Sequence, residues 1–148
     1  MLIKPLTRDF LFSNLNVFLD LIRGWKYCNW TENNFLYELP LKWELSFALY
    51  EGDSLRGFCI ASNKIADAYY IHLLFISDKA RGHSLGKKCL DYAMELSKKH
   101  GYKRIELRCP LSNVRALEFY IKNGFRLREC IMDDVSGQEP DNYLELIL

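Results

Sequence analysis

The sequence lacks the features that mark several large classes of protein. It has no uncharged stretch of about 18 residues, the length that a transmembrane helix needs, and its first residues do not resemble a signal peptide. The 20 basic and 19 acidic side chains nearly cancel, so no excess of positive charge favours binding to a nucleic-acid backbone or an anionic membrane. We therefore expect a cytoplasmic protein that binds neither nucleic acid nor a membrane.

Metal ligands and linkers are also missing from the pattern. The five cysteines are scattered without a C-x-x-C pair, and the three histidines have no metal-ligand spacing, so we expect reduced thiols and no metal. Proline and glycine mark turns and do not form a linker. With 148 residues, 49% of them hydrophobic, the chain is expected to form a single domain over residues 1–148 with one substantial core.

Apolar spacing predicts strands and helices in a mixed order. After a first short strand, helices are predicted over Asp9–Ile22, from Trp30 to before Pro40, over Ser84–His100 and over Asn113–Lys122. Further strands are predicted over Trp43–Tyr50, Leu55–Ala61, Ala68–Ile76, Ile105–Cys109, Phe125–Met132 and Tyr143–Leu148. This order favours an α/β protein in which helices cover the faces of a mixed sheet.

The most informative segment runs from Leu73 to Lys87. A buried strand enters a turn that contains Gly82 and opens a helix, where exposed N–H groups and the helix dipole can hold a phosphate or pyrophosphate. Gly86 lets a ligand approach the main chain, and Arg81 and Lys87 add positive charge. A plain structural turn remains an alternative, while the Walker and G-x-G-x-x-G patterns are absent.

The same segment resembles the acetyl-coenzyme A signature of the GNAT acetyltransferases, an Arg or Gln followed by x-x-Gly-x-Gly/Ala. The matching residues are Arg81, Ser84 and Gly86, with an additional glycine at Gly82. Ser84 departs from the family preference for glycine. We expect its hydroxyl to be able to cap the helix and its side chain to restrict φ and crowd the cofactor.

A second segment, Asn113 to Phe125, resembles the family element N-x-x-A-x-x-x-Tyr-x-x-x-Gly-Phe almost position by position. Asn113 is also a natural helix cap, and Tyr120 also suits an amphipathic core, so local structural roles stay open. The two signatures stand in the family order. The resemblance implies the GNAT fold, a mixed and mostly antiparallel sheet of about seven strands flanked by about four helices.

The resemblance further implies acetyl-CoA as co-substrate and assigns residues to it. Main-chain groups of the fourth strand would bond the pantetheine arm, the loop would hold the pyrophosphate, and Asn113 would lie beside the cofactor. The implied cofactor-binding residues are Leu74, Phe75, Ile76, Arg81, Gly82, His83, Ser84, Leu85, Gly86, Lys87, Asn113 and Tyr120. The Tyr120 hydroxyl would lie by the coenzyme sulfur and protonate the departing thiolate.

The general base is less clearly indicated than the acid. Direct attack by an amine in a ternary complex needs no acyl-enzyme nucleophile, and Cys109 is interpreted as a buried structural thiol. His72 is the candidate base because its pKa range suits deprotonation near neutral pH, although a core histidine is an alternative. Glu106, Glu38 or a water chain could take its place.

The acceptor is expected to be an amine, either a protein N-terminus, a lysine or a small molecule. Regions that border the acceptor groove in this family hold aromatic and acidic residues, which would suit a cationic amine. These residues are Trp25, Tyr27, Trp30, Glu32, Asp133, Asp134, Glu139 and Asp141. A non-catalytic acyl-CoA sensor or interaction module is the alternative function, and either a monomer or a homodimer is compatible with the sequence.

Overall fold

A seven-stranded sheet runs through the computed structural model, which describes residues 1–80, 84–131 and 139–148. Its strands are β1 (Leu2–Pro5), β2 (Phe47–Glu51), β3 (Ser54–Ser62), β4 (Ala68–Ile76), β5 (Arg104–Pro110), β6 (Arg126–Ile131) and β7 (Asp141–Ile147). The spatial order is β1-β2-β3-β4-β5-β7-β6. Only β4 and β5 pair in parallel, and the other neighbours are antiparallel. The expected mixed, mostly antiparallel sheet is confirmed.

The parallel pair is short and ends inside both strands. Residues Ala68–Ile71 of β4 pair with Arg104–Leu107 of β5, and β4 then continues to Ile76 without a partner on that side in β5. Over its remaining residues β5 stays paired with β7. A wedge therefore opens between β4 and β5 beyond Ile71 and Leu107.

Six helices are present in the described residues, where about four were predicted. They are α1 (Arg8–Ser13), α2 (Leu15–Ile22), α3 (Glu32–Leu36), α4 (Lys42–Leu45), α5 (Leu85–Lys99) and α6 (Val114–Lys122). Asn14 divides the first predicted helix because its side-chain amide donates to the Phe10 carbonyl oxygen at 2.9 Å, which stabilises a helix end at that point.

The short helix α4 replaces the start of a predicted strand. Leu41 adopts a left-handed conformation (φ 58°), and the buried Lys42 side chain donates to the carbonyl oxygens of Phe35 and Tyr37. These contacts pull Lys42–Leu45 out of the sheet, so β2 begins at Phe47 and not at Trp43. The prediction failed here because the deciding contacts come from another element.

Two apolar layers cover the two faces of the sheet. On the face that carries α5 and α6, here called the α5–α6 face, the core includes Tyr69, Ile71, Leu107, Cys109 and Tyr120. On the opposite α1–α3 face, the aromatic side chains Phe18, Phe35, Phe58 and Phe75 pack with ring centroids 5.0–5.9 Å apart. Both layers fix the position of β4, the strand that borders the wedge.

None of the helices in the described ranges is long and apolar enough to cross a bilayer.

Candidate active site

A cavity of about 640 Å³ lies on the α5–α6 face along the wedge between β4 and β5. Its walls come from β4, the start of α5, one side of α6 and the turn after α2. The lining residues are Gly24, Trp25, Lys26, Tyr27, Leu74, Ile76, Ser84, Leu85, Gly86, Lys87, Asn113, Arg115, Ala116, Phe119, Tyr120, Lys122 and Asn123. The structure thus brings together eight of the predicted cofactor-binding residues, from both sequence motifs.

The start of α5 forms one end of the cavity. Ser84 is the N-cap in a left-handed conformation (φ 58°, ψ 24°), and its side chain makes no capping hydrogen bond. The expected hydroxyl cap is therefore wrong, because this backbone conformation turns the residue away from the usual extended cap geometry. The expected restriction of φ is real, since glycine adopts this conformation without strain. The predicted residues Arg81, Gly82 and His83 lie outside the described residues.

Gly86 holds α5 close to α6. A Cβ atom at this position would lie 2.8 Å from Cζ and 2.9 Å from Cε1 of the Phe119 ring. The residue is therefore required for helix packing as well as for open space at the cavity wall. The motif predicted the open space at the cavity wall. The role in helix packing was not predicted, because it depends on Phe119, which is 33 positions away in the sequence.

Four cations surround the cavity. They are Lys26, Lys87, Arg115 and Lys122, and no carboxylate is present among the described lining residues. Lys87 also pairs with Asp91 at 3.0 Å, a contact between two exposed side chains that contributes little energy. Together with the N–H groups at the start of α5, this charge fits an anionic ligand such as a pyrophosphate.

Strand β4 presents its side chains to two different layers. Leu74 and Ile76 line the cavity, whereas Phe75 lies on the opposite face and packs against Trp25 with ring centroids 5.0 Å apart. The predicted role of all three residues concerns their main chain, and for Phe75 the side chain is excluded from the cavity.

The turn Gly24–Tyr27 crosses the wedge and was not predicted as part of the cofactor site. Trp25 contacts β4 through Phe75, and the Tyr27 hydroxyl donates to the carbonyl oxygen of Ser112 at 3.3 Å, next to the start of α6. Gly24 has a positive φ of 79°, which allows the sharp turn after α2. The local signal was the cluster Trp25-Lys26-Tyr27 after a helix-ending glycine, but nothing local places it at the wedge.

Asn113 and Tyr120 bring α6 to the cavity. The Asn113 side chain accepts a hydrogen bond from the Ala116 N–H at 3.2 Å, so the predicted helix cap is confirmed, and the residue also lines the cavity. Tyr120 is 9% exposed, and burial raises the pKa of its hydroxyl. Tyr120 lines the cavity, and within the described residues no group hydrogen-bonds its hydroxyl.

Cys109 is next to Tyr120 but is unsuited to covalent chemistry. Its side chain is 2% exposed, and burial raises the pKa of the thiol to about 11. Its sulfur lies 3.7 Å from the Asn113 carbonyl oxygen. The thiol is therefore protonated and buried at neutral pH, in agreement with a structural role.

His72 lies on the α1–α3 face and does not line the cavity. It is the extra residue of a β-bulge, since Ile60 pairs with Leu73 and Ala61 with Ile71. Its Nε2 is 2.7 Å from the Ser62 hydroxyl, and burial, helped by the charges of Lys64 and Lys42, lowers its pKa to about 4. His72 is therefore neutral at pH 7, but with a pKa of about 4 it is a weaker base than its ordinary pKa range led us to expect, and its role as a base stays a prediction.

The two alternative carboxylates are already engaged. Glu106 is fully buried, and it accepts hydrogen bonds from Arg104 at 2.7 Å, Arg128 at 3.0 Å and the Tyr143 hydroxyl. Burial alone would raise its pKa, but these donors outweigh burial and hold the pKa below its usual range. Glu38 is exposed and bound to Arg8 and Trp43. Neither carboxylate has the raised pKa that suits a base near neutral pH.

Sequence comparison matches residues 15–125 to the acetyltransferase (GNAT) family. An uncharacterized N-acetyltransferase of Methanocaldococcus jannaschii is 34% identical over 61 residues, which cover 41% of this chain and 27% of that protein. The chain thus aligns with about a quarter of the length of this relative. No group of three or more His, Cys, Asp or Glu residues in the described part of the chain is placed to hold a metal ion.

Solved structures of the same architecture include enzymes with different acceptors. The ribosomal-protein-S18-alanine N-acetyltransferase of Escherichia coli has a TM-score of 0.82 at 18% identity, over 99% of this chain and 92% of that one. An aminoglycoside 6'-N-acetyltransferase complexed with coenzyme A has a TM-score of 0.78 at 17% identity, over 99% and 97% of the two chains. These similarities show the fold, and the family match covers most of the sequence. The chain therefore belongs to the acetyltransferase (GNAT) family, the acetyl-CoA-dependent acetyltransferases that the two motifs resemble.

Proposed function

We propose that this chain transfers the acetyl group of acetyl-CoA to a primary amine by direct attack in a ternary complex. The observation that carries the proposal is that Tyr120, a proton donor without a hydrogen-bond partner in the described residues, lines a cavity that begins at the start of α5 and follows β4. A binding module would need the cavity but would not need a proton donor there.

The cofactor would bind in three parts. The pyrophosphate would lie at the start of α5, where main-chain N–H groups and Lys87 meet an anion. The pantetheine arm would follow β4 at Leu74 and Ile76, and Asn113 would lie beside it. Lys26, Arg115 and Lys122 would supply further charge for the phosphates, and Trp25 and Tyr27 would cover the arm.

The chemical step needs an acid near the sulfur and no covalent intermediate on the protein. The amine nitrogen attacks the thioester carbonyl carbon, and the tetrahedral intermediate then breaks its C–S bond to give an amide and a thiolate. The Tyr120 hydroxyl donates its proton to the thiolate. The attacking nitrogen loses one proton, and His72 or a water chain is the proposed acceptor of that proton.

Thiol release and product mass together test this function. Purified protein is incubated with acetyl-CoA and a panel of amines that includes peptides, lysine derivatives, polyamines and amino sugars, and both the free thiol and the acetylated amine are measured. We expect equal amounts of the two products with at least one amine. Tight binding of acetyl-CoA without acetylation of any amine would instead favour a non-catalytic acyl-CoA sensor.

A further inference from the structure

If acetyl-CoA fills the cavity, an acceptor would approach the wedge from the α1–α3 face, beside the turn Gly24–Tyr27. The cofactor cavity and Tyr120 occupy the α5–α6 face, and pairing of β4 with β5 ends at Ile71 and Leu107. An amine that approaches the thioester from this face must pass the side chains that come directly after Ile71 and Leu107 in their strands and point to the α1–α3 face. Side chains alternate along a strand, so Arg108 on β5 is the first of them.

Arg108 differs from its neighbours in having no ion pair. Strands β5 and β6 carry four arginines, and three of them bind buried carboxylates: Arg104 and Arg128 bind Glu106 at 2.7 and 3.0 Å, and Arg126 binds Glu145 at 2.7 Å. Arg108 is exposed and makes no ion pair within the described residues. Its charge is therefore available to a ligand.

The surroundings of Arg108 carry charges of both signs. Burial raises the pKa of the Tyr70 hydroxyl and of the Asp141 carboxyl, and the nearby Arg108 guanidinium opposes both shifts. The carboxylates of Asp141 and Glu106 add to the rise in the pKa of Tyr70, and Glu139 adds to the rise in that of Asp141. Lys64 adds a second cation, with its Nζ 5.6 Å from the centroid of the Tyr70 ring. Within the described residues Asp141 has no ion pair, whereas Glu106 is bound by Arg104 and Arg128.

Of the other residues that suggested an acidic, aromatic groove, Glu32 is exposed and has no ion pair within the described residues, while the following ones are engaged or are not described. Glu139 binds the Ser112 main-chain N–H and hydroxyl, and Trp30 packs against Phe35 with ring centroids 5.1 Å apart. Asp133 and Asp134 lie outside the described residues. Arg108 is the exposed charged residue that directly follows the end of the β4–β5 pairing on β5.

We infer that the acceptor is an amine that also carries a carboxylate, and that Arg108 binds this carboxylate. The inference rests on the proposed acetyl transfer and names the class of its acceptor. A guanidinium can bind a carboxylate through two parallel hydrogen bonds, which would fix the distance between the carboxylate and the reacting amine. Arg108 is a specificity residue in this account and takes no part in proton transfer.

The carboxylate could belong to a free amino acid or to an acidic side chain of a peptide, and pairs of acceptors that differ only in this carboxylate distinguish the two. Free amino acids are compared with amino-acid amides, and alanyl-aspartyl amide is compared with alanyl-asparaginyl amide. A preference within the first pair identifies the α-carboxylate of an amino acid, and a preference within the second identifies an acidic side chain of a peptide. Because amides also change the basicity of the amine, the decisive comparison is between protein variants.

The variant Arg108→Gln should raise KM for the carboxylate-bearing acceptor by about 10- to 100-fold and leave KM for the matching amide unchanged. Arg108→Lys should recover part of the loss, because it keeps the charge but loses the paired geometry. Lys103→Gln is the matched control, an exposed cation on the residue before β5, and should change neither KM. Equal effects of Arg108→Gln on acid and amide, or no effect on either, would overturn the inference.

Calorimetric titration of the same acceptors into protein loaded with coenzyme A separates this inference from the proposed function. Binding that needs both the carboxylate and Arg108, without acetylation, would support the acceptor class and contradict acetyl transfer. Acetylation of amines without a preference for a carboxylate would support transfer and overturn the acceptor class. Absence of both binding and acetylation across the panel would overturn both.

Discussion

At the scale of single residues, Ser84 is the departure from the family motif that has a direct structural consequence. Its left-handed backbone (φ 58°) suits glycine, and its hydroxyl makes no capping bond that would offset the strain. Ser84→Gly should therefore increase the free energy of unfolding by about 0.5–1 kcal/mol, after the greater flexibility of the unfolded chain is allowed for. Urea unfolding measures the change.

Ser84→Ala is the control for this prediction. Because the hydroxyl makes no capping hydrogen bond, alanine should leave the free energy of unfolding nearly unchanged. A loss of about 1 kcal/mol with alanine would show that the hydroxyl does cap the helix, and would contradict the assignment of strain to the backbone.

Lys42 predicts a pH dependence of stability. Its side chain is buried between the carbonyl oxygens of Phe35 and Tyr37, and burial lowers its pKa from 10.5 to about 8, with Glu38 opposing the shift. Between these two values the unfolded chain binds more protons than the folded one, so stability rises as the pH rises from 8 to 10.5. We expect the free energy of unfolding to rise by about 1 to 2 kcal/mol over this range. The neutral amine can still donate to both carbonyl oxygens, so deprotonation does not break these contacts.

The comparison protein for this measurement is Lys42→Met, which lacks the titrating group. Urea unfolding of both proteins at about pH 8 and pH 10 should show the wild type gaining stability relative to the variant. Parallel changes in the two proteins would mean that Lys42 titrates normally in the folded state.

At the scale of elements, the packing of α5 on α6 decides the shape of the cofactor cavity. Alanine normally stabilises a helix relative to glycine, but in Gly86→Ala the new Cβ would meet the Phe119 ring at 2.8 Å. We expect this variant to lose about 1–3 kcal/mol of stability and to bind acetyl-CoA more weakly, because the helices must separate. Urea unfolding and calorimetry test the two effects.

The double variant Gly86→Ala with Phe119→Ala identifies the cause. If the clash is responsible, the two substitutions should be non-additive, and the double variant should be more stable than the sum of the single changes predicts. If the losses of stability are additive, the clash with Phe119 is not the cause of the loss in Gly86→Ala.

At the scale of the whole molecule, the sequence predicted elements better than it predicted their neighbours. The motif from Asn113 to Phe125 predicted α6 and its cap, because a helix cap and helical spacing are local properties, whereas the expectation that Tyr120 lies at the cofactor site came from the family resemblance. The helix α4 and the bulge at His72 were missed, since they depend on Lys42 reaching Phe35 and on the register between β3 and β4.

The candidate site likewise combines residues that local sequence motifs predicted with residues that only tertiary contacts bring to the cavity. Residues that share a motif, such as Ser84 and Gly86, were predicted, while Trp25 and Tyr27 reach the wedge only through contacts with Phe75 and Ser112. The sequence could not predict that Arg108 has no ion pair within the described residues, because this depends on which arginines Glu106 and Glu145 bind in the folded chain.

The most direct test of the account is the rate of thiol release from saturating acetyl-CoA with an accepted amine, compared between the wild type and Tyr120→Phe. Burial raises the pKa of the Tyr120 hydroxyl, so the acid stays protonated throughout the neutral range. We predict that kcat falls by about 100-fold in the variant while the affinity for acetyl-CoA is unchanged. An unchanged kcat would contradict the assignment of Tyr120 as the acid and, with it, the mechanism proposed for this cavity.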